Sequence, residues 1–196
     1  KREAAFEIVE HNIHGLDIDQ RAYQLAYFAV MMKGRGYNRR FLSVKNVKPN
    51  VYRVQGSGYT DSTGIRKIVY DEATLDYFVN NNATLKRSMD NLSEQIFNAE
   101  EYGSILKVEN VDFNLIFERF KEIEEEISLY KNSVSASLYP FVVTAYMLNK
   151  KYDVVITNPP YLSARGSMSS VLTKYLTKHY PVSKNDLFTV FMEVCE

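Results

Sequence analysis

The chain of 196 residues is long enough to form one ordinary domain with a hydrophobic core. Apolar residues make up 45% of it, which excludes disorder as the default state, and no apolar run reaches the roughly 18 residues of a membrane span. A single cysteine, Cys195, excludes a disulfide framework and fits a reducing cytoplasm. His11, His14 and His179 lack a convincing ligand spacing, so we predict no metal site.

The charges are unevenly distributed although the formal net charge is zero. Residues 1–60 carry ten basic and five acidic side chains, residues 61–130 carry seven and fifteen, and residues 131–196 carry seven and four. The acidic middle segment therefore predicts an insertion between two parts of one unit. The neutral overall charge argues against a self-sufficient nucleic-acid binder, since phosphate contacts supply much of that affinity.

The first third of the chain predicts a strand, a helix and a second strand. "HNIHGLDID" indicates a short strand that ends near Asp17, and Asp19 is placed to cap the following helix. In that helix the apolar residues at helical spacing are Ala22, Leu25, Ala26, Ala29 and Met32. The second strand is predicted at residues 50–56. A loop rich in Gly, Ser, Thr and Asp is predicted at residues 55–64.

Helices are predicted from about residue 71 to residue 131. Three apolar faces support them: Leu75, Phe78 and Val79; Leu85, Met89, Leu92, Ile96 and Phe97; and Val111, Leu115, Phe117, Ile123 and Ile127. Further helices are predicted at residues 139–149, 170–179 and 186–195. Between the first two of these, "YDVVIT" is β-branched and continuous, as a buried parallel strand should be. The order of elements predicts an α/β sheet with a mainly helical insertion.

"GLDID" places an acidic residue at the end of the first strand, just before a helix. Nucleotide-binding α/β folds hold a ribose in this way, because the carboxylate accepts hydrogen bonds from both hydroxyl groups. Asp17 is placed for that contact, and Ile18 offers an apolar surface to an adenine ring. Taken alone, the motif is explained more often by a pair of helix-capping acids without a ligand.

"NPPY" follows the third strand and suggests a specific chemistry. The exocyclic amine of adenine is a poor nucleophile, because its lone pair is delocalised into the ring. The side-chain oxygen of Asn158 and the carbonyl of Pro159 can accept its two hydrogens and favour a tetrahedral nitrogen, while Pro160 stiffens the loop and Tyr161 stacks on the base. The alternative is a structural turn with a core tyrosine, which the upstream "GLDID" and "DVVIT" make the weaker explanation.

Three segments resemble a known family. "DVVITNPPYL" resembles motif IV of the amino-methylating, S-adenosylmethionine-dependent methyltransferases, "HGLDID" is similar to their motif II, and "KNDLFTVFMEVCE" looks like the motif V helix of adenine DNA methyltransferases. The order and the long insertion look most like the large methyltransferases of phage-resistance (BREX-type) and type II restriction-modification systems. The resemblance covers about residues 8–60 and 135–196.

The resemblance implies roles for individual residues. Asp17 would bind the ribose of S-adenosylmethionine, and Ile18 would pack on its adenine. Asn158, Pro159, Pro160 and Tyr161 would form the catalytic loop around an adenine flipped out of double-stranded DNA. The residues that would help line this site are Asp186, Leu187 and Phe188.

The resemblance also implies a fold, a domain division and a location. The fold would be a partial Rossmann-like methyltransferase sheet, with core segments 1–60 and 136–196 around a helical insertion, 61–135. The glycine-rich motif I should precede residue 1, so we expect a fragment of a longer bacterial cytoplasmic enzyme that is inactive without the rest of its polypeptide. We expect no membrane partner.

Two alternatives stay open on the sequence. A glutamine methyltransferase of the release-factor type uses a similar "NPPY", but such enzymes are compact, whereas about 140 residues separate "GLDID" from "NPPY" here. A binding module that has lost catalysis is the second alternative, and the intact "NPPY" argues against it.

Overall fold

The computed structural model describes residues 3–43, 47–160, 162–163 and 168–195. Within them the chain is a mixed α/β protein in which helices predominate. The helices are α1 (Ala4–Glu7), α2 (Gln20–Tyr37), α3 (Glu72–Val79), α4 (Ala83–Gln95), α5 (Ala99–Tyr102), α6 (Phe113–Glu125), α7 (Tyr130–Ser137), α8 (Tyr139–Asn149), α9 (Ser170–His179) and α10 (Leu187–Cys195). The strands are β1 (His14–Asp17), β2 (Asn50–Arg53), β3 (Gly58–Thr60) and β4 (Arg66–Ile68). Among the described helices, none combines the length and apolarity that a membrane crossing requires.

The predicted strand–helix–strand unit is confirmed at the start of the chain. β1 pairs in parallel with β2, with His14 opposite Asn50 and Asp17 opposite Arg53. Parallel strands need a crossover connection, and α2 supplies it. Asp19 caps α2 by accepting hydrogen bonds from the backbone N–H groups of Arg21 and Ala22, at 2.8 and 2.9 Å. The carboxyl ends of both strands therefore lie side by side.

The face of α2 that packs inward differs from the apolar stripe identified in the sequence. In that stripe Leu25 is 68% exposed, and the neighbouring Phe28 is 61% exposed. Of that stripe only Ala22 is half-buried, and the larger half-buried side chains lie on another face of the helix: Tyr23, Tyr27, Val30 and Met31. Both faces of α2 are apolar, so helical spacing predicts the helix but cannot decide which face contacts the sheet.

The segment after β2 forms a hairpin, which the prediction of a loop at residues 55–64 missed. β3 and β4 pair antiparallel, with Gly58 opposite Ile68. Their turn is held by the Asp61 carboxylate, which accepts from the N–H groups of Thr63 and Ile65, at 3.0 and 2.9 Å. The predicted division at residue 61 falls inside this hairpin, and the division into core and insertion stays a prediction.

The largest core joins the middle helices to α8. Phe78, Leu92, Ile116, Phe141 and Val142 are each at most 1% exposed in one contiguous cluster. Val54, directly after β2, belongs to the same cluster. The helical segment is therefore packed onto the elements that flank it, which makes it part of one hydrophobic unit with them.

Helix α6 is shorter than its apolar pattern predicts. It ends at Glu125, and Ile127 is fully exposed, so Ile127 does not belong to the buried face. The buried guanidinium of Arg119 ties α6 to α3, because it donates to the Phe78 carbonyl at 2.9 Å and to the carboxylates of Glu122 and Glu126 at 2.8 Å. Buried charges need such partners, and this one has them from two helices.

A second, smaller core surrounds α9 and α10. Its buried members are Ile105, Leu172, Leu176, Tyr180, Leu187 and Val190. The Tyr180 hydroxyl donates to the Ile105 carbonyl at 2.6 Å, and the Lys107 N–H donates to the Tyr175 hydroxyl at 2.8 Å. These bonds attach the end of the chain to the segment that follows α5.

The prediction of a buried strand at "YDVVIT" is wrong for this structure. Residues 154–160 have no regular secondary structure, and Val154, Val155 and Ile156 are 76%, 51% and 95% exposed. β-branched residues favour an extended backbone, but a strand also needs a neighbour to complete its hydrogen-bond ladder. None of the described strands is paired with this segment.

We predict that Leu92→Ala lowers the free energy of unfolding by about 2–5 kcal/mol, since it removes a fully buried side chain from the larger core. The matched control is Leu129→Ala, because Leu129 is 96% exposed and its loss should change stability by less than about 0.5 kcal/mol. Urea titration followed by circular dichroism measures both. Equal effects of the two substitutions would contradict the assignment of the core.

Acid should weaken the cap of α2. The backbone N–H groups of Ala22 and Arg21 hold the pKa of the Asp19 carboxyl below its ordinary value of 3.8. Because the pKa of this carboxyl is lower in the folded than in the unfolded protein, the ionised group stabilises the fold. This contribution is complete above the ordinary pKa and is lost as the pH falls through the folded-state pKa. The stability advantage of the native chain over Asp19→Asn should therefore shrink below pH 3.8. Unfolding titrations across that range measure it, and a constant difference would contradict the cap.

Candidate functional site

The carboxyl end of β1 presents a carboxylate and an apolar side chain. Asp17 is half-buried, and its Oδ1 accepts the Asp19 N–H at 2.8 Å. Its Oδ2 has no hydrogen bond within the described residues, and the helix cap itself is made by Asp19. Ile18 is 53% exposed. A carboxylate oxygen without a hydrogen bond and a half-exposed isoleucine therefore lie together where the parallel strands end, as a ligand site requires.

A cavity of about 440 Å³ lies at the same edge of the sheet. Its lining comprises Arg53, Gln55, Gly56, Val69, Glu100, Ala136 and Ser137. Arg53 links it to the end of β1, because its Nε donates to the Ile18 carbonyl at 3.4 Å. The volume lies within the range of about 300–1,000 Å³ typical of small-molecule sites.

Sequence reasoning missed these cavity residues. For Arg53, Gln55 and Gly56 a signal existed, because they end or follow a predicted strand next to the one that ends at Asp17. Nothing local marked Glu100, which the fold brings in from the helical segment. A further cavity, of about 570 Å³, is lined by residues of α4, α6, α8 and the turn before α6, and it includes none of the predicted site residues.

The segment formed by Asn158, Pro159 and Pro160, called the proline corner below, lies at the surface. Asn158 and Pro160 are exposed and Pro159 is half-buried. The Asn158 side chain makes no hydrogen bond with the described residues, so its amide oxygen is available as an acceptor. Tyr161 lies outside the described residues. Prolines have a fixed φ and also restrict the residue before them, so two in succession limit the backbone freedom of the corner that carries this acceptor.

The chain after the corner is hydrogen-bonded to the start of α10. The Leu162 N–H donates to the Pro160 carbonyl at 2.9 Å, and the Leu187 N–H donates to the Leu162 carbonyl at 3.0 Å. Ser163 and Asp186 form an antiparallel bridge. Leu162 also packs against the smaller core that contains Leu187. The structure thus brings together two segments that the sequence separates by more than twenty residues.

The three predicted lining residues at the start of α10 have different environments. The Asp186 carboxylate accepts the Phe188 N–H at 2.8 Å, which caps the helix. Leu187 is 4% exposed and belongs to the core, whereas Phe188 is 50% exposed. Phe188 is therefore the one of the three whose side chain offers a ligand an open apolar surface.

The two halves of the predicted site are not joined directly. Within the described residues, no hydrogen bond or ion pair links Asp17 or Ile18 to Asn158 or Pro160. An indirect link lies at the other end of β1, where Lys150 Nζ is 3.0 Å from His14 Nε2 and the Tyr152 ring packs on the His14 ring with centroids 5.2 Å apart. The segment that leads to the proline corner therefore starts beside the amino end of β1.

Comparison with known protein families shows which family the chain belongs to. A family model described as "Eco57I restriction-modification methylase" matches residues 11–196. The chain belongs to this methylase family. The resemblance found in the three sequence motifs is therefore confirmed at the level of the family.

Two curated relatives of this methylase chain are similar over most of its length. The adenine-specific methyltransferase PglX of Lacticaseibacillus casei (strain Zhang) is 36% identical over an alignment of 204 positions, gaps included, that covers 98% of the chain. The adenine-specific methyltransferase BrxX of Escherichia coli O9:H4 (strain HS) is 31% identical over an alignment of 201 positions that covers 95% of the chain. The chain spans 16% of the length of each relative.

We predict that Asp186→Ala lowers stability by about 1 kcal/mol, because it removes the carboxylate that caps α10. Asp186→Asn keeps a side-chain acceptor at the same position and should cost only a few tenths of that amount. Thermal unfolding of the two variants checks this. Equal losses for Ala and Asn would mean that the carboxylate, and not the cap geometry, is what matters at residue 186.

Proposed function

We propose that this chain is part of an adenine-specific DNA methyltransferase, which transfers a methyl group from S-adenosylmethionine to the exocyclic amine of a flipped adenine. The observation that carries the proposal is the exposed proline corner, whose Asn158 amide has no partner among the described residues. Membership of the methylase family and the adenine-specific methyltransferases among its relatives support it.

The proposed catalytic role of the corner is to position a weak nucleophile. The Asn158 side-chain oxygen and the Pro159 carbonyl each accept one hydrogen of the target amine, which draws the nitrogen lone pair out of conjugation with the ring. Fixed acceptors lower the barrier by orientation and need no side chain with an unusual pKa. When bound, the cofactor supplies an electrophilic methyl group on a sulfonium.

The proposed target is a base rotated out of the duplex. The amine lies inside the stacked helix, so the base must leave the stack to reach the two acceptors. In this proposal Tyr161 stacks on the extruded adenine. Phe188 supports the proposal, because it is half-exposed and lies close to the corner through the pairing of Leu162 with Leu187.

The proposed cofactor contacts lie at the end of β1. Asp17 Oδ2 would accept from the ribose hydroxyls, and Ile18 would pack on the adenine. Three features fit such a ligand: the open carboxylate oxygen, the exposed isoleucine and the adjoining cavity of about 440 Å³. Charge and apolar surface occur together here, as an adenosine requires.

We also propose that the chain is part of a larger Rossmann-like sheet. Segment 154–156, irregular in this structure, pairs there as a strand only when a neighbouring strand is present. Its β-branched side chains are exposed, and its chain enters beside the amino end of β1 at His14. The pairing strand would come from elsewhere in a longer polypeptide, which the length of the relatives supports. In this proposal the enzyme acts on double-stranded DNA in the bacterial cytoplasm, within a restriction-modification or phage-defence system.

We predict that Asn158→Ala in the full-length polypeptide lowers methylation of unmethylated DNA by about 10²–10³-fold, because one of two acceptors on the amine is lost. Cofactor affinity should change less than about threefold, since Asn158 contacts the target base. Transfer of radioactive methyl groups to DNA and calorimetry measure the two quantities.

The matched control for this test is Asn114→Ala, because Asn114 is also an exposed asparagine but lies on α6. It should keep full activity. Unchanged methylation by Asn158→Ala would remove the central role of the corner, and methylation of a protein glutamine in place of DNA would favour the release-factor type of enzyme.

A further inference from the structure

The cavity beside β2 is built from two parts of the chain. Arg53, Gln55 and Gly56 come from the end of β2, whereas Glu100 comes from α5 in the helical segment and Ser137 from the end of α7. Glu100 lies in the predicted insertion, 61–135, and Ser137 lies just beyond it, so the predicted insertion forms part of the wall of the cavity that adjoins the proposed cofactor contacts.

The short helix α5 is fixed against the connection that follows β2. A Cβ added at Gly56 would lie 2.8 Å from the Ile96 carbonyl oxygen and 3.0 Å from the Ala99 nitrogen, so only glycine allows this approach. The Asn98 N–H donates to the Gly58 carbonyl at 3.0 Å, and Asn98 Oδ1 accepts the Thr60 N–H at 2.9 Å. These contacts hold the start of α5 at one place beside β2.

The other end of α5 lies over Ile18. A Cβ at Gly103, directly after the helix, would be 3.6 Å from Ile18 Cγ2. Glu100 lines the cavity on the same helix. Helix α5 therefore runs from the cavity to the isoleucine on which the cofactor adenine is proposed to pack.

The lining of the cavity includes one carboxylate, Glu100, that is available to bind a donor. Glu100 is half-buried and has no hydrogen bond or ion pair within the described residues. The adenine amine is a donor, and a carboxylate is an acceptor with two oxygens. A keto oxygen at the same ring position would face the carboxylate with no hydrogen between them.

We propose that the helical insertion is part of the cofactor site, and that Glu100 accepts a hydrogen bond from the amine of the cofactor's adenine. This inference rests on the proposed function. It gives Glu100 a specificity-determining role: the site prefers an adenosyl ligand to one in which the amine is replaced by oxygen.

The test compares two ligands, S-adenosylhomocysteine and its deaminated analogue S-inosylhomocysteine, by calorimetry on the full-length polypeptide. The native protein should bind the adenosyl compound about 10- to 100-fold more tightly, the value of a hydrogen bond to a charged group. Glu100→Gln should reduce this preference at least about tenfold, because the amide can also donate to the keto oxygen.

The matched control is Glu101→Gln, since Glu101 is the next residue of α5 and does not line the cavity. It should leave the preference unchanged. A native protein that binds both ligands equally, or a Glu100→Gln variant that keeps the full preference, overturns the role of Glu100 but not the proposed function. A native protein that binds neither ligand overturns both, and circular dichroism confirms that each variant is folded.

Discussion

The candidate site depends on one short backbone pairing, in which the Leu187 N–H donates to the Leu162 carbonyl and Ser163 bridges to Asp186. This pairing anchors the chain that leaves the proline corner to the start of α10. Without it, the corner would continue from an unpaired, exposed segment and would have no fixed position. The smaller core stabilises this pairing, because Leu162 packs against the cluster that contains Leu187. In the proposed mechanism the corner acts by position, so the anchoring matters as much as the acceptor atoms.

The second half of the site depends on a different constraint, the parallel pairing of β1 with β2. It places the ends of both strands together, with Asp17 opposite Arg53. The glycine contact at residue 56 then brings α5 to the same place, and Glu100 with it. According to the proposal, the helical segment covers one side of the cofactor, which the two strands alone would leave exposed to solvent.

Local signals in the sequence predicted much of the fold. The bounds of α8 and α9 match the predicted ranges, and Asp19 caps α2 as expected, because caps and prolines act within a few residues. The strand at "YDVVIT" was predicted wrongly, since strand formation depends on a neighbour that propensity cannot supply. Local sequence could not predict the pairing of Leu162 with Leu187 or the position of Glu100 either. Both depend on contacts between residues far apart in the chain. The family resemblance, carried by three short motifs, needed no such contacts and is confirmed.

The most direct test of the central claim is a structure of the full-length polypeptide with S-adenosylhomocysteine and its DNA. We predict an adenine extruded from the duplex, with its exocyclic nitrogen within about 3.2 Å of both the Asn158 side-chain oxygen and the Pro159 carbonyl oxygen. An adenine held at another surface, with Asn158 and Pro159 bonded to protein or facing away from the base, would contradict the account.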